Sequence, residues 1–231
     1  MDTYQTTLLN RSTVGAGITI LTVSKPDGFR FSAGQFVALA IPALPAEHGQ
    51  NWRWMSIASA PSERELIFVL ADSDSAYKRY AATCPIGSTF EISSARGKFI
   101  LDRSDRIVLL AGGVGIAPVR GMLIDAAASQ RRGRLHLFYS CSTPNDFAFS
   151  ELFSGQLQLD LIFVPTVTGA HRWNSERGRI DAPMLRRYVD DIRSCHYYAV
   201  GSPDFVKAMI GMLRHEQVDF DQLTVENFTG L

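Results

Sequence analysis

"LLAGGVGIAPVRGML", residues 109–123, decides how the second half of this chain is read. An apolar run enters Gly112-Gly113-Val114-Gly115, and Ala117-Pro118 then opens a segment with Ala, Met and Leu at helical spacing. Such a run reads as a strand buried on both faces, followed by a turn and a helix. Glycine permits positive φ and close approach of a ligand to the backbone, and the helix N-terminus beyond it offers free N–H groups and a partial positive charge. The pattern suits a phosphate; it also fits a tight strand–helix turn with no ligand. It is not a P-loop, because no Gly-Lys-Ser/Thr follows, and its Gly-Gly-x-Gly-x-x-Pro spacing departs from the usual dinucleotide fingerprint.

Outward from this turn the same rhythm repeats. "RLHLFYSCS" (134–142), "LDLIFVPTVTG" (159–169) and "HYYAVGSP" (196–203) read as strands. "AFSELFSGQ" (148–156), "DAPMLRRYVDDI" (181–192) and "PDFVKAMIGMLRHE" (203–216) read as helices, the second with Asp181 and Pro183 as its start signal. Alternation of this kind implies a parallel sheet with helices on both faces, and ligands of such sheets lie at the C-terminal ends of the strands. Gly112–Gly115, Ser140–Thr143, Thr166–Gly169 and Gly201–Pro203 would then share one edge.

Before residue 100 the rhythm differs. "GITILTVSKP" (17–26), "GQFVALAIP" (34–42), "ELIFVLA" (65–71) and "STFEISSA" (88–95) are short strand-like runs between Gly, Pro, Asp and Ser clusters, with one short helix expected in "SDSAYKRYAATCP" (73–85). This half reads as an antiparallel barrel or sandwich. The expected organisation is an all-β barrel over residues 1–100 followed by an α/β parallel-sheet domain over 101–231.

Bulk properties narrow the function. The chain has 231 residues, 46% hydrophobic and 20% charged, with 23 basic residues against 23 acidic ones. Neutrality gives no sign of a nucleic-acid or anionic-membrane partner. Cys84, Cys141 and Cys195 are far apart and odd in number, so neither a disulfide framework nor a metal or cluster site is expected. No signal-peptide pattern and no apolar run of membrane-spanning length is present, which makes a cytoplasmic location the expectation. The histidines, His48, His136, His171, His196 and His215, do not pair at metal spacing, and no G-x-S-x-G elbow occurs.

"RWMSIASAPSE" (53–63) poses a separate problem: one cation and two hydroxyls in an otherwise apolar strand. A buried strand does not carry an unpaired Arg without cost, so something anionic and flat is expected against it. Arg53-Trp54-Met55-Ser56 resembles the Arg-x-Tyr-Ser flavin motif of the ferredoxin–NADP⁺ reductase superfamily. "GQF" (34–36) precedes it as in that family, and "ARGKF" (95–99) is similar to the segment that closes the flavin domain. "GGVGIAP" matches the pyrophosphate turn, "VGSPDFVKAM" resembles Cys-Gly-Pro-x-x-Met, and "VENFTGL" resembles the ending of short members. The motifs stand in family order and cover nearly the whole chain.

The resemblance implies a flavin-dependent reductase that passes hydride from NADH or NADPH to bound FAD, with FMN as the alternative flavin. Electrons would pass on to a separate ferredoxin-, flavodoxin- or oxygenase-like carrier, or to a small acceptor. It implies that Arg53 holds flavin phosphate, that Met55 lies against the ring with Trp54 and Ile57 beside it, and that Ser56 sits near the hydride-accepting nitrogen. Ser75, Ala76 and Tyr77 would meet the pyrophosphate, Glu226 and Phe228 would close the flavin site, and Ser56 and Glu226 would be the catalytic residues. Gly112, Gly113, Gly115, Pro118, Ser140, Gly201 and Ser202 would hold the nicotinamide dinucleotide. Departures are Met55 for Tyr, Val200 for Cys, Ser202 for Pro and Ser94-Ala95 for Gly-Pro. They keep two alternatives open: a free-flavin reductase that uses flavin as substrate, and a non-catalytic flavin-binding electron-transfer or regulatory subunit. "YSCSTPNDF" (139–147) offers hydroxyls and Asp146 but no Arg, which favours NADH, whereas Arg172 or Arg177 would serve a 2′-phosphate. The basic run "QRRGR" (130–134) reads as a solvated helix end, or as a dock for an acidic carrier.

Overall fold

The structure, a computed structural model, describes residues 3–44, 51–169 and 173–228. His48, His171, Arg172 and the last residues of "VENFTGL" lie outside them. Two six-stranded sheets organise the described residues.

The first sheet holds β1 (Thr3–Val14), β2 (Ile18–Ser24), β3 (Phe36–Ala40), β4 (Trp52–Ser56), β5 (Glu65–Ala71) and β6 (Thr89–Ser93), in the order β4-β3-β6-β1-β2-β5. All its pairings are antiparallel. The two edges meet just past β4. Ala58 N–H donates to the Ile67 carbonyl at 2.8 Å, and Ile67 N–H donates to Ser59 Oγ at 3.3 Å, so the sheet curls into a barrel. The buried Ser59 hydroxyl thus replaces a missing ladder partner.

β1 is the strand that hydrophobic patterning does not reveal. Of "TYQTTLLNRSTV" only Thr6 and Leu8 are buried, and ladders to β6 and then β2 hold the rest. β5 shows the opposite case. Leu66, Phe68 and Leu70 fill the barrel interior, while Ile67, Val69 and Ala71 face the second sheet's core. Burial on both faces explains its unbroken apolar run, and each fully buried Leu or Phe there contributes roughly 1.5–3 kcal/mol. α1 (Ala76–Thr83) lies between β5 and β6.

The second sheet holds β7 (Arg106–Gly112), β8 (Arg134–Cys141), β9 (Asp160–Val167), β10 (Glu176–Arg177), β11 (His196–Gly201) and β12 (Leu223–Asn227). The order is β10-β9-β8-β7-β11-β12 and every pairing is parallel. α2 (Ile116–Ala128) packs on the face turned to the barrel, and α3 (Ala182–Tyr188) and α4 (Pro203–His215) on the other. Asp181 caps α3 by accepting from Met184 N–H at 2.8 Å. That helix stops at Tyr188 rather than running to residue 192, because Asp190 and Asp191 oppose the negative end of the helix dipole. The helix expected at 148–156 is instead one wide turn, Leu152–Gln156, broken where Gly155 takes a φ of 122°.

The two lobes are fastened together. Arg120 of α2 binds both Glu63 oxygens, each at 2.9 Å, and donates to the Ala58 carbonyl at 2.9 Å. Beside it Gly121 lies so close to the barrel that a Cβ would come 2.7 Å from the Ser59 carbonyl oxygen. Phe99 packs edge-on against Tyr198 at 5.6 Å. Cys84, Cys141 and Cys195 are buried and free. Among the described residues no helix is long and apolar enough to cross a membrane, and no cluster of metal-ligating side chains occurs.

Candidate functional site

A cleft of about 770 Å³ opens between the barrel and the parallel sheet. β4 supplies one wall with Trp52, Arg53, Trp54, Met55 and Ser56, and the end of β5 with α1 supplies a second with Val69, Leu70, Ala71, Tyr77 and Lys78. Val114 and Ala117 of the glycine turn and Glu226, Asn227 and Phe228 at the end of β12 close it from the other lobe. Its size lies within the range of small-molecule and cofactor sites.

The two ends of the cleft differ in chemistry. At one end Ser56 Oγ donates to Glu226 Oε1 at 2.8 Å, across 170 residues of sequence. Ser56 is 7% exposed. Burial pushes the Glu226 carboxyl up to about 7, with the Ser56 hydrogen bond acting the other way. Phe228 N–H donates to the Gly201 carbonyl at 2.9 Å and so ties this end to β11.

The other end is cationic. The Arg53 guanidinium donates to the Trp52 carbonyl at 2.7 Å and reaches Ser75 Oγ at 3.4 Å. It lies 5.2 Å from the Tyr77 ring centre, and Tyr77 itself is anchored through its hydroxyl to the Leu39 carbonyl at 2.9 Å. Ser75 is the N-cap of α1, its side chain makes no capping bond, and the first turn of α1 contains no acid. Lys78 is 8% exposed, and its Nζ has no hydrogen-bond partner among the described residues. Burial, and then the Arg53 charge, hold the Lys78 ammonium below the ordinary lysine range, while Asp72 acts in the opposite sense. Met55, Val69, Leu70 and Ala71 add apolar lining to the cleft. The lining suits a ligand with a flat apolar body, a polar reactive edge and an anionic tail.

The strand ends of the parallel sheet form the second half of the site. Gly112 is in register with Ser140, Cys141 with Val167, and Val167 with Arg177. The sheet's chain order turns back between β7 and β11, which places the crevice at the glycine turn. The three glycines there divide the work. A Cβ at Gly112 would lie 2.9 Å from the Phe205 ring, and one at Gly115 would lie 2.5 Å from the Val200 carbonyl oxygen. These two glycines serve contact with protein. Gly113 has a φ of 52° and open space where a Cβ would stand, so it is the one that leaves room for a ligand.

The structure thus brings Arg53, Trp54, Met55, Ser56, Tyr77, Glu226 and Phe228 to one cleft, with Ser75 in contact through Arg53. Ala76 is the first residue of α1. Ile57 points elsewhere: it is fully buried in the barrel core, and its N–H donates to the Gln35 carbonyl. Pro118 is buried in the first turn of α2. Ser202 caps α4 by accepting from Phe205 N–H at 3.3 Å, and Val200 is fully buried in the sheet. Asp146 is engaged by Thr143, through N–H at 2.9 Å and Oγ1 at 2.8 Å. Among the histidines, His136 is buried with Nε2 at 2.8 Å from the Tyr188 carbonyl, and His196 pairs with Asp102 at the opposite edge of the sheet.

Lys78 was not singled out by the sequence. The signal that marks it is a lysine on the buried face of a short helix, beside Tyr77 and Ala81, in a first turn that has no acid.

Comparison with known proteins agrees with this fold. Residues 109–210 match the family model of the oxidoreductase NAD-binding domain. The chain is 22% identical to the anthranilate 1,2-dioxygenase electron transfer component of Acinetobacter baylyi, aligned over 86% of this chain. It is 26% identical to the propane 2-monooxygenase reductase component of Rhodococcus jostii, over 89% of this chain. It spans 58% of the length of each relative. Among solved structures, a ferredoxin NADP⁺ reductase from Neisseria gonorrhoeae with bound FAD and NADP superposes with a TM-score of 0.84 at 23% identity, covering 97% of this chain and 98% of that one.

Proposed function

We propose that the chain, which shares the fold of a ferredoxin NADP⁺ reductase and matches the oxidoreductase NAD-binding domain over residues 109–210, is a member of the ferredoxin–NADP⁺ reductase superfamily and an NAD(P)H-dependent flavoprotein reductase. It would take reducing equivalents from NADH or NADPH through FAD to a separate carrier protein or small acceptor. The observation that carries this reading is the polarity of the cleft: a cationic end built by Arg53, Lys78 and the start of α1, and a Ser56–Glu226 pair at the other. Lys78 also supplies the test of fit, since a buried ammonium without a partner beside a guanidinium is costly until an anion joins it.

Arg53, Ser75 and the first N–H groups of α1 would hold the phosphates, and Met55, Val69 and Ala71 would cover the apolar ring. Ser56 would orient the reactive edge, with Glu226 fixing the Ser56 hydroxyl and holding or releasing a proton at Oε1. The Gly113 backbone, the N-terminus of α2 and the strand ends at Ser140 and Gly201 would receive the nicotinamide dinucleotide. Bound FAD would supply the hydride acceptor and the capacity for single-electron transfer. The chain's own contribution is positioning and exclusion of water. Both relatives are named as electron-transfer or reductase components of oxygenases, which supports an oxygenase-side acceptor.

The test is anaerobic addition of NADH or NADPH to FAD-loaded, desalted protein. Rapid bleaching by one nucleotide supports the proposal. Tightly held flavin that neither nucleotide bleaches would replace it with a flavin-binding module. Colourless protein that reduces added riboflavin would favour flavin as a substrate, a reading to which Met55, in place of an aromatic residue, lends support.

A further inference from the structure

We propose that Lys78 is a specificity-determining residue for the flavin's phosphate tail, giving the cleft preference for phosphorylated flavins over riboflavin. This rests on the flavoprotein reading above and goes beyond it by assigning a residue outside the recognised motifs. Three observations meet at one place. Lys78 Nζ is buried with no hydrogen-bond partner among the described residues, and its side chain lines the cleft. Arg53, the other cation of this wall, sits against Ser75 at the start of the same helix. Lys78 itself stands in the first turn of α1, where no acid offsets the positive end of the helix dipole.

Each feature alone has an ordinary explanation. Together they place a buried ammonium with no hydrogen-bond partner at the positive end of a helix dipole, close enough to the Arg53 guanidinium for the like charges to repel. A lysine in the first helical turn also opposes the dipole, the reverse of the usual arrangement. Asp72 is close enough to act on Lys78 but makes no hydrogen bond to Nζ. An anion of high charge density, such as a phosphate or diphosphate, would offset this buried charge. Riboflavin brings the same ring with no phosphate and would gain nothing from Lys78.

The experiment compares wild type with Lys78→Met and Lys78→Arg, measuring affinity for FAD, FMN and riboflavin and the thermal midpoint without ligand. Loss of one charge-assisted contact predicts FAD and FMN binding weakened by about ten- to a hundredfold in Lys78→Met, with riboflavin unchanged. Lys78→Arg should recover most of the FAD affinity. Removal of the unpartnered charge should also raise the ligand-free midpoint of Lys78→Met by about 2–4 °C, which separates this effect from misfolding. Unchanged FAD affinity, or equal loss for FAD and riboflavin, would overturn the proposal. Should wild type bind none of the flavins, the flavoprotein reading falls. Inorganic pyrophosphate then decides the anion site: stabilisation of wild type but not of Lys78→Met supports it, and no response contradicts it.

Discussion

Ser56 and Glu226 stand 170 residues apart in sequence and 2.8 Å apart in space, one at the end of a barrel strand and the other on an edge strand of the parallel sheet. The bond crosses between the lobes at the cleft, so orientation of the Ser56 hydroxyl depends on how the lobes are docked. Replacing Ser56 with Ala should leave FAD bound and slow its reduction by NAD(P)H roughly ten- to a hundredfold, the loss expected for one oriented donor. Stopped-flow bleaching measures this; an unchanged rate would remove Ser56 from the chemistry.

Glu226 should make stability depend on pH in a direction opposite to that of most carboxylates. Its folded value is raised from 4.5 to about 7 by burial. Between those values the folded protein binds more protons than the unfolded one, so stability from this group is greatest at low pH and falls as pH rises through the interval. Glu226→Gln should flatten that part of the curve. Thermal midpoints of both proteins between about pH 5 and pH 8 test it.

Arg53→Ala should weaken FAD by about ten- to a hundredfold, since the contact it would lose is an ionised one. Gel filtration and the visible spectrum of the eluted protein provide the readout. FAD retained as tightly as in wild type would show that the cleft is gripped elsewhere.

The lobe clamp can be broken without touching the cleft. Arg120 is the less exposed partner, at 11% against 27% for Glu63, so Glu63→Ala strands a poorly solvated guanidinium. The expected cost is about 2–3 kcal/mol, at or just below the range for buried pairs because Glu63 keeps some solvent contact. The double variant Arg120→Ala/Glu63→Ala should cost less than the sum of the single changes in chemical denaturation.

The glycine turn separates packing from binding. Gly113→Ala should keep the fold at a cost of about 1–2 kcal/mol for its left-handed backbone, and should lower nucleotide affinity. Gly115→Ala should cost more, because its Cβ would collide with the Val200 carbonyl. Denaturation curves and nucleotide titrations of the two variants distinguish these effects.

Much of the architecture is legible in the chain itself. The strand–glycine–helix run at 109–123 and the alternation beyond it give the parallel sheet, and a cation with hydroxyls in an apolar run, Arg53 with Ser56, marks β4 as a cleft strand by residue type alone. What escaped did so for physical reasons. β1 is a polar strand held by its ladders, so its composition carries no alternation. The segment at 148–156 has helical composition, but Gly155 lets the backbone turn out of the helix. Ile57 sits next to Ser56 in sequence, yet faces the barrel core. Gly112 and Gly115 look like ligand glycines, and only their neighbours Phe205 and Val200, distant in sequence, reveal that protein fills the space. Lys78 shows its isolation only once the helix is packed.

The central claim is that the cleft between β4, α1 and the end of β12 is the flavin site. A crystal structure of the FAD-loaded protein tests it most directly. Density for FAD is expected in that cleft, with its phosphates against Arg53 and Lys78 and its ring edge beside Ser56 and Glu226. Density for FAD elsewhere on the molecule, or a cleft filled by the protein's own side chains, would contradict it.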